Sequence, residues 1–403
     1  MRSLFAVLFI LVCSLAASGE HITERQAVER FLAASPEVRL LDLERQLALA
    51  DARMAGRPPD GEIGFSRESA GGQWDLFLTY SHPLPITGRR TMLRQSAELA
   101  ASAQSFRLDL IRHNLRVDLR QAFLRVLLIQ EKIIAAQEAR GRLAELVEAL
   151  HLREQGGDIS AYDRMRAERE LSLVHTVEGG FRGMLAGAQA DLAIFLSPDT
   201  VAADLVAAGE LNLPRLPDLD GLFDRAAGRP DLQAIRREMD SLDVQEKAAR
   251  RKAYPEPIVG GGLKSSSFGG DRDNGYIFSI TVPLPIFDRG DREAARAAVA
   301  RQAARMRADV LQLRIQRQLR GAWQESRVRV ENAERFHQET LAQTKDLVRM
   351  AQVAYDAGEA GILELMDAWN TDFESHLRAL ELLAEARRAA LELERWVGEE
   401  VIQ

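Results

Sequence analysis

Glu364 and Asp367, in the run Glu364-Leu365-Met366-Asp367-Ala368, are two acidic side chains three positions apart. A separation of three places both carboxylates on one face of a helix, where they would form a small acidic patch. The same spacing also occurs on ordinary solvated helices, so spacing alone leaves the role open. The other chemistry-bearing residue types point away from catalysis. His82, His113, His151, His175, His337 and His376 are scattered, with none of the intervals that a zinc or copper site requires, so no metal and no cofactor is expected. The single cysteine, Cys13, lies so near the start that a chain cleaved after it has no thiol, which removes disulfide, thiolate-metal and Cys-His chemistry. No Ser-His-Asp set is evident either, and the expectation is a protein that is not an enzyme. A net charge of −7 gives no electrostatic footprint for nucleic acid.

The elements that would position the acidic pair are given by an internal repeat. Pro83-Leu84-Pro85-Ile86 recurs as Pro283-Leu284-Pro285-Ile286, roughly 200 residues on, which is the signature of a duplicated unit. Gly157-Asp158-Ile159-Ser160 recurs loosely as Gly358-Glu359-Ala360-Gly361, and Ser35-Pro36-Glu37 has its counterpart in Arg229-Pro230-Asp231. In the last pair each proline opens a helix, where its missing N–H costs least.

Residues 1–19 have the three parts of a secretory signal peptide: Arg2, the apolar run Leu4 to Val12, and the small cluster Ala16-Ala17-Ser18-Gly19. Cleavage ahead of Glu20 and lipidation at Cys13 both stay open, although Val12 is large for a residue before an acylated cysteine. No other stretch approaches about 18 consecutive apolar residues, so no helical span is expected after export.

From Arg89 to Gln155, and again from Arg289 to Ala357, the chain lacks proline and is dense in Ala, Leu, Arg, Gln and Glu. Each run reads as a helix of nearly 70 residues, roughly 100 Å long at about 1.5 Å per residue. Glycine-containing turns end both runs, and a helix of about half that length returns, Ser160 to Phe195 or Ile362 to Val397. The shorter helices Pro36 to Arg53 and Asp231 to Lys252 make up the missing length by stacking end to end on the return helices.

Each copy also carries a β-hairpin, at about 61–83 and 257–283. Trp74, Leu76, Leu78 and Tyr80 alternate with polar residues, as do Tyr276, Phe278, Ile280 and Val282, giving strands with one apolar face. At about nine or ten residues they have the length of a tilted membrane strand, and Trp74, Tyr80 and Tyr276 sit where interfacial aromatics do. Four strands cannot close a membrane barrel, so hairpins that enter a membrane demand oligomerisation: two chains would give eight strands and three would give twelve.

The organisation is therefore a signal peptide at 1–19, a first repeat at 20–196 with its helical hairpin at 88–196, a surface linker at 197–217, and a second repeat at 218–403 with its helical hairpin at 288–397. The fold class is mainly α with a small β part.

On these features the chain resembles the TolC-like outer membrane efflux proteins. The resemblance rests on the duplicated hairpin unit, the Pro-Leu-Pro-Ile exits into long helices and the glycine turns with an acid just beyond. Pro283-Leu284-Pro285-Ile286-Phe287-Asp288-Arg289-Gly290 is most similar to the heavy-metal, CzcC-like branch. The resemblance implies a homotrimer, with a 12-stranded barrel in outer membrane lipid continued by an α-helical barrel across the periplasm. It also implies a periplasmic adaptor, an inner-membrane pump of the RND type, and passive exit of heavy-metal cations. Drug efflux, type I secretion and a soluble periplasmic coiled-coil scaffold or adaptor stay as alternatives.

By the same resemblance, Glu364 and Asp367 stand at the periplasmic gate, six carboxylates around a trimer axis. Relatives hold the gate shut with a Tyr and an Arg of the second hairpin on an Asp of the first. Tyr355 and Asp163 occupy those positions here, and Ala360 stands where the Arg would be. Gly157, Asp158, Ile159, Ser160, Gly358, Glu359, Ala360 and Gly361 form the tips that would meet the adaptor.

Overall fold

The computed structural model describes residues 20–157 and 159–402. The signal-peptide segment, Cys13 and the tip residue Asp158 lie outside them. Strand β1 (Glu20–Thr23) runs into helix α1 (Glu24–Ala34), whose start is fixed by a capping box between Thr23 and Gln26. Helix α2 (Pro36–Met54) follows with proline in its first turn. Strands β2 (Glu62–Ala70) and β3 (Gln73–Pro83) turn through Gly71 and Gly72, both at positive φ. Helix α3 (Arg89–Gly156) is 68 residues long and α4 (Ala161–Ala193) returns along it.

After β4 (Leu205–Ala208) the second copy repeats the plan. It comprises α5 (Leu219–Ala226), α6 (Pro230–Arg250), β5 (Ile258–Phe268), β6 (Asp271–Thr281), α7 (Asp291–Arg335), α8 (Ala342–Asp356) and α9 (Ile362–Val397). Val282, expected as a strand residue, falls one position beyond β6.

Two differences from the sequence reading have physical causes. The outgoing helix of the second copy is interrupted: Phe336–Leu341 form a π turn between α7 and α8. The wider turn misaligns the carbonyl ladder, and the Thr344 hydroxyl donates to the Thr340 carbonyl at 2.8 Å. Secondly, the segment expected to be a surface linker is partly core. Its strand β4 pairs in parallel with β1, and Leu205 is fully buried beside Ile22, Phe31 and Leu192.

The helices form a wall one layer deep. In the half nearest the sheet α2 packs on α3, α3 on α6 and α6 on α7; in the far half α4 packs on α3, α3 on α9 and α9 on α8. Ion pairs bind neighbours across the layer, including Arg107–Glu238 at 2.5 Å and Arg307–Glu238 at 2.8 Å. Both outer edges of the wall expose apolar seams at three- and four-residue spacing. On α2 these are Leu40, Leu43, Leu47 and Met54, and on α7 Val299, Met306, Val310 and Leu313.

Midway along the wall, Arg120 anchors a buried polar knot. Its side chain, 7% exposed, pairs with Glu24 at 2.5 Å and with Glu394, which is 1% exposed. Glu394 also accepts backbone N–H bonds from Val401 (3.0 Å) and Ile402 (2.7 Å). Burial pushes its carboxyl pKa up against the pull of Arg120 and those amides. Next to it, the His113 imidazole sits 3.1 Å from the Glu394 carbonyl, with its pKa held below the ordinary value by burial.

The sheet has the order β2-β3-β5-β6, all antiparallel, so the two hairpins join through β3 and β5, and β2 and β6 are left as open edges. Cross-strand rows separate its faces: Phe65, Leu78, Leu263 and Tyr276 share one, and Glu68, Asp75, Ser266 and Asp273 share the other. The apolar face is bare, with Tyr276 91% exposed. Glycine is required where the backbones crowd, since a Cβ on Gly262 would stand 2.2 Å from the Leu78 carbonyl oxygen. At the corner between β6 and α7, Gly290 has φ +83, and a Cβ there would meet the Ala249 carbonyl oxygen at 2.0 Å.

Candidate gate and tip of the helical hairpins

At the end of the wall far from the sheet, Leu146 and Leu150 of α3, Ala167 of α4 and Ile362, Leu365 and Met366 of α9 form one buried cluster. Leu365, 1% exposed, fixes the rotation of α9. Glu364 and Asp367 then emerge together on the opposite, solvent-exposed face. Neither carboxylate has a side-chain partner among the described residues. Gly361 caps α9 without a side chain, and a Cβ there would lie 2.8 Å from Glu364 Oε2. The glycine leaves room for that carboxylate to fold over the positive end of the helix dipole.

α9 is well anchored along its length. Asn370 donates to Glu170 at 3.1 Å, Arg142 pairs with Asp372 at 3.1 Å, and Lys132 pairs with Glu381 at 2.7 Å. That last contact holds the Glu381 carboxyl below the usual range. α8 differs: Thr344 is its one buried residue. Among the described residues, one side-chain hydrogen bond ties α8 to another helix, from Arg153 Nη1 of α3 to the Tyr355 hydroxyl at 3.1 Å. The same guanidinium lies 5.6 Å from the Tyr355 ring centroid.

Tyr355 is therefore engaged, but not by the residue that the resemblance implied. Asp163 is occupied locally: its carboxylate accepts the Ser160 hydroxyl at 2.9 Å, while its amide donates to Ser160 Oγ at 3.3 Å, capping α4. Arg153 was missed in the sequence because it sits 202 residues from its partner and belongs to no local pattern.

At the first tip, Gly157 closes α3 at φ +83 and Ile159 packs on the buried cluster. At the second, Gly358 has φ +75, and the amides of Glu359 and Ala360 both donate to the Ala354 carbonyl. The two tips are adjacent through the shared cluster beneath them.

Residues 224–399, most of the second repeat, match the model for outer membrane efflux proteins. Over that stretch the chain is similar to the outer membrane efflux proteins. The chain is 26% identical over 320 residues to the cobalt-zinc-cadmium resistance protein CzcC of Cupriavidus metallidurans, covering 78% of this chain and 75% of that one. Solved structures share its fold. A membrane protein from Pseudomonas aeruginosa matches with TM-score 0.74 at 19% identity, over 93% of this chain and 92% of that one. The open state of the Neisseria gonorrhoeae MtrE outer membrane channel matches with TM-score 0.73 at 18% identity, over 93% and 89%.

Proposed function

We propose that this chain is the protomer of a passive efflux duct, three copies of which close a 12-stranded barrel in the outer membrane and an α-helical barrel in the periplasm. One observation carries the reading: the protomer is an open stave. Both its sheet, at β2 and β6, and its helical wall, at α2 and α7, end in unpaired edges. A sheet with free edges and a bare apolar face is stable in lipid only when neighbours supply the missing hydrogen bonds.

The facing polar row of Glu68, Asp75 and Asp273 then lines the lumen, and Glu364 with Asp367 forms the acidic constriction at the far end. Both favour cations, which agrees with a heavy-metal cargo like that named for the CzcC relative. The tips Gly157 to Ser160 and Gly358 to Gly361 dock a periplasmic adaptor that links the duct to an inner-membrane pump of the RND type.

The test is twofold. The mature protein purified in detergent runs as a trimer, and co-expression with its pump and adaptor restores growth on cobalt, zinc or cadmium. A monomer that stays soluble without detergent overturns the duct; a trimeric channel that rescues drug tolerance but not metal tolerance overturns the cargo.

A further inference from the structure

At the hairpin-turn end of the sheet, the apolar face finishes in a cluster for which the duct has no use. Arg67 of β2 and Arg272 of β6 converge on the single indole between them, their guanidinium carbons 5.2 and 5.3 Å from the Trp74 ring centroid. The register places Ser69, Trp74, Ser267 and Arg272 in one cross-strand row, with Arg67 in the next, opposite Leu76. Both rows lie on the face that carries Phe65, Leu78, Leu263 and Tyr276.

Neither guanidinium forms an ion pair among the described residues. The acids at this end, Glu68, Asp75 and Asp273, alternate onto the opposite face, where Lys264 pairs with Asp75 at 2.9 Å. Two cations without counter-ions thus sit at the margin of an exposed apolar surface. Stacking on the indole pre-orients both forks, and a guanidinium fork matches phosphate oxygens in bidentate geometry. Hydrocarbon along the bare face would complete what the phosphate begins.

We propose that Arg67, Trp74 and Arg272 form a binding site for the phosphate of a membrane lipid whose acyl chains run along Leu78, Leu263 and Tyr276. The site rests on the reading that this sheet lies in the outer membrane. An acidic peptide would satisfy the charges but leave the apolar face in contact with nothing, so the lipid is the better fit. Indole at the level of the headgroups is also where membrane proteins concentrate tryptophan.

The experiment is native mass spectrometry of the detergent-purified protein titrated with dioleoyl phosphatidic acid, dioleoylglycerol and inorganic phosphate. The wild type should hold phosphatidic acid on the order of tenfold more tightly than dioleoylglycerol, which lacks the phosphate. The R67Q/R272Q variant should lose most of that difference, and R67K/R272K should fall between, because lysine keeps charge but not the fork. All these positions are exposed, and the mass spectrum itself reports whether each variant assembles as the wild type does. Equal lipid affinities in wild type and R67Q/R272Q overturn the site. So does inorganic phosphate that displaces the lipid at matched concentration, since that marks an anion site without a tail. Failure of the wild type to insert into phosphatidylcholine vesicles overturns the membrane reading and the site together; insertion with no preference among lipids overturns the site alone.

Discussion

Arg153 of the first helical hairpin donates to the phenol oxygen of Tyr355 in the second, joining α3 to the loosely held α8. This contact crosses between the repeats at the end of the wall that carries the acidic pair, where Tyr355 also packs on the cluster of Leu365 and Met366. Substituting Arg153→Ala removes a hydrogen bond and a cation–π contact, together about 1–2 kcal/mol, which corresponds to a shift of roughly tenfold in any open–closed equilibrium that they bias. Single-channel recordings should show a higher open fraction for Arg153→Ala, and for Tyr355→Ala. Currents identical to wild type would mean that the contact does not latch the tip.

Neutralising the paired carboxylates, Glu364→Gln with Asp367→Asn, should reduce cation-over-anion selectivity. The loss reaches about tenfold at low ionic strength, where an acidic ring concentrates counter-ions most. Reversal potentials in a salt gradient measure it directly. Because both side chains are exposed and without side-chain partners among the described residues, the melting temperature should fall only slightly, by the loss of about 0.3–1 kcal/mol between Glu364 and the α9 dipole.

Acid should weaken the fold through His113. Burial keeps its pKa in the folded chain below the ordinary value of 6.5, with Arg116, Arg229 and Arg395 acting in the same direction and the Glu394 carbonyl opposing them. Below pH 6.5 the unfolded chain takes up a proton that the folded chain refuses, so the stability present above that pH is lost as pH falls toward the depressed folded pKa. In His113→Gln the midpoint of thermal unfolding should depend less on pH across that window. A variant and wild type with parallel pH profiles would contradict the assignment.

The apolar seams on the outer helices should govern assembly. Leu47→Asp or Met306→Asp each forfeits about 1.5–3 kcal/mol of burial per copy and places a charge in the contact. The expected result is a shift from trimer toward monomer in detergent, read by light scattering, with helical circular dichroism unchanged.

The knot around Arg120 should matter for stability rather than transport. Arg120→Leu strands the buried Glu394, and breaking such a pair costs about 3–5 kcal/mol. Urea unfolding should show the loss in the variant.

Much of this architecture is written in local patterns. Proline-free runs rich in alanine and leucine give the long helices, and period-two alternation gives each strand, because both are set by residues a few positions apart. The face of α9 that carries Glu364 and Asp367 is legible for the same reason, since Ile362, Leu365 and Met366 mark the opposite side. Contacts between distant segments are not. Nothing near Arg153 announces Tyr355, Leu205 reads as linker until β1 is beside it, and the π turn at Phe336 has no compositional mark. The Arg67–Trp74–Arg272 cluster is hidden in the same way, since only strand register brings it together.

The zipper between β3 and β5 joins residues some 180 positions apart, from Trp74 with Ser267 to Pro83 with Ile258. Until the second hairpin has been synthesised, the first has two bare flanks, and β3 gains its second partner only through a pairing of long sequence separation. The edge groups of β3 are therefore covered late, only once β5 has been made. Completion of the sheet, in this arrangement, is timed by the distance between two strands.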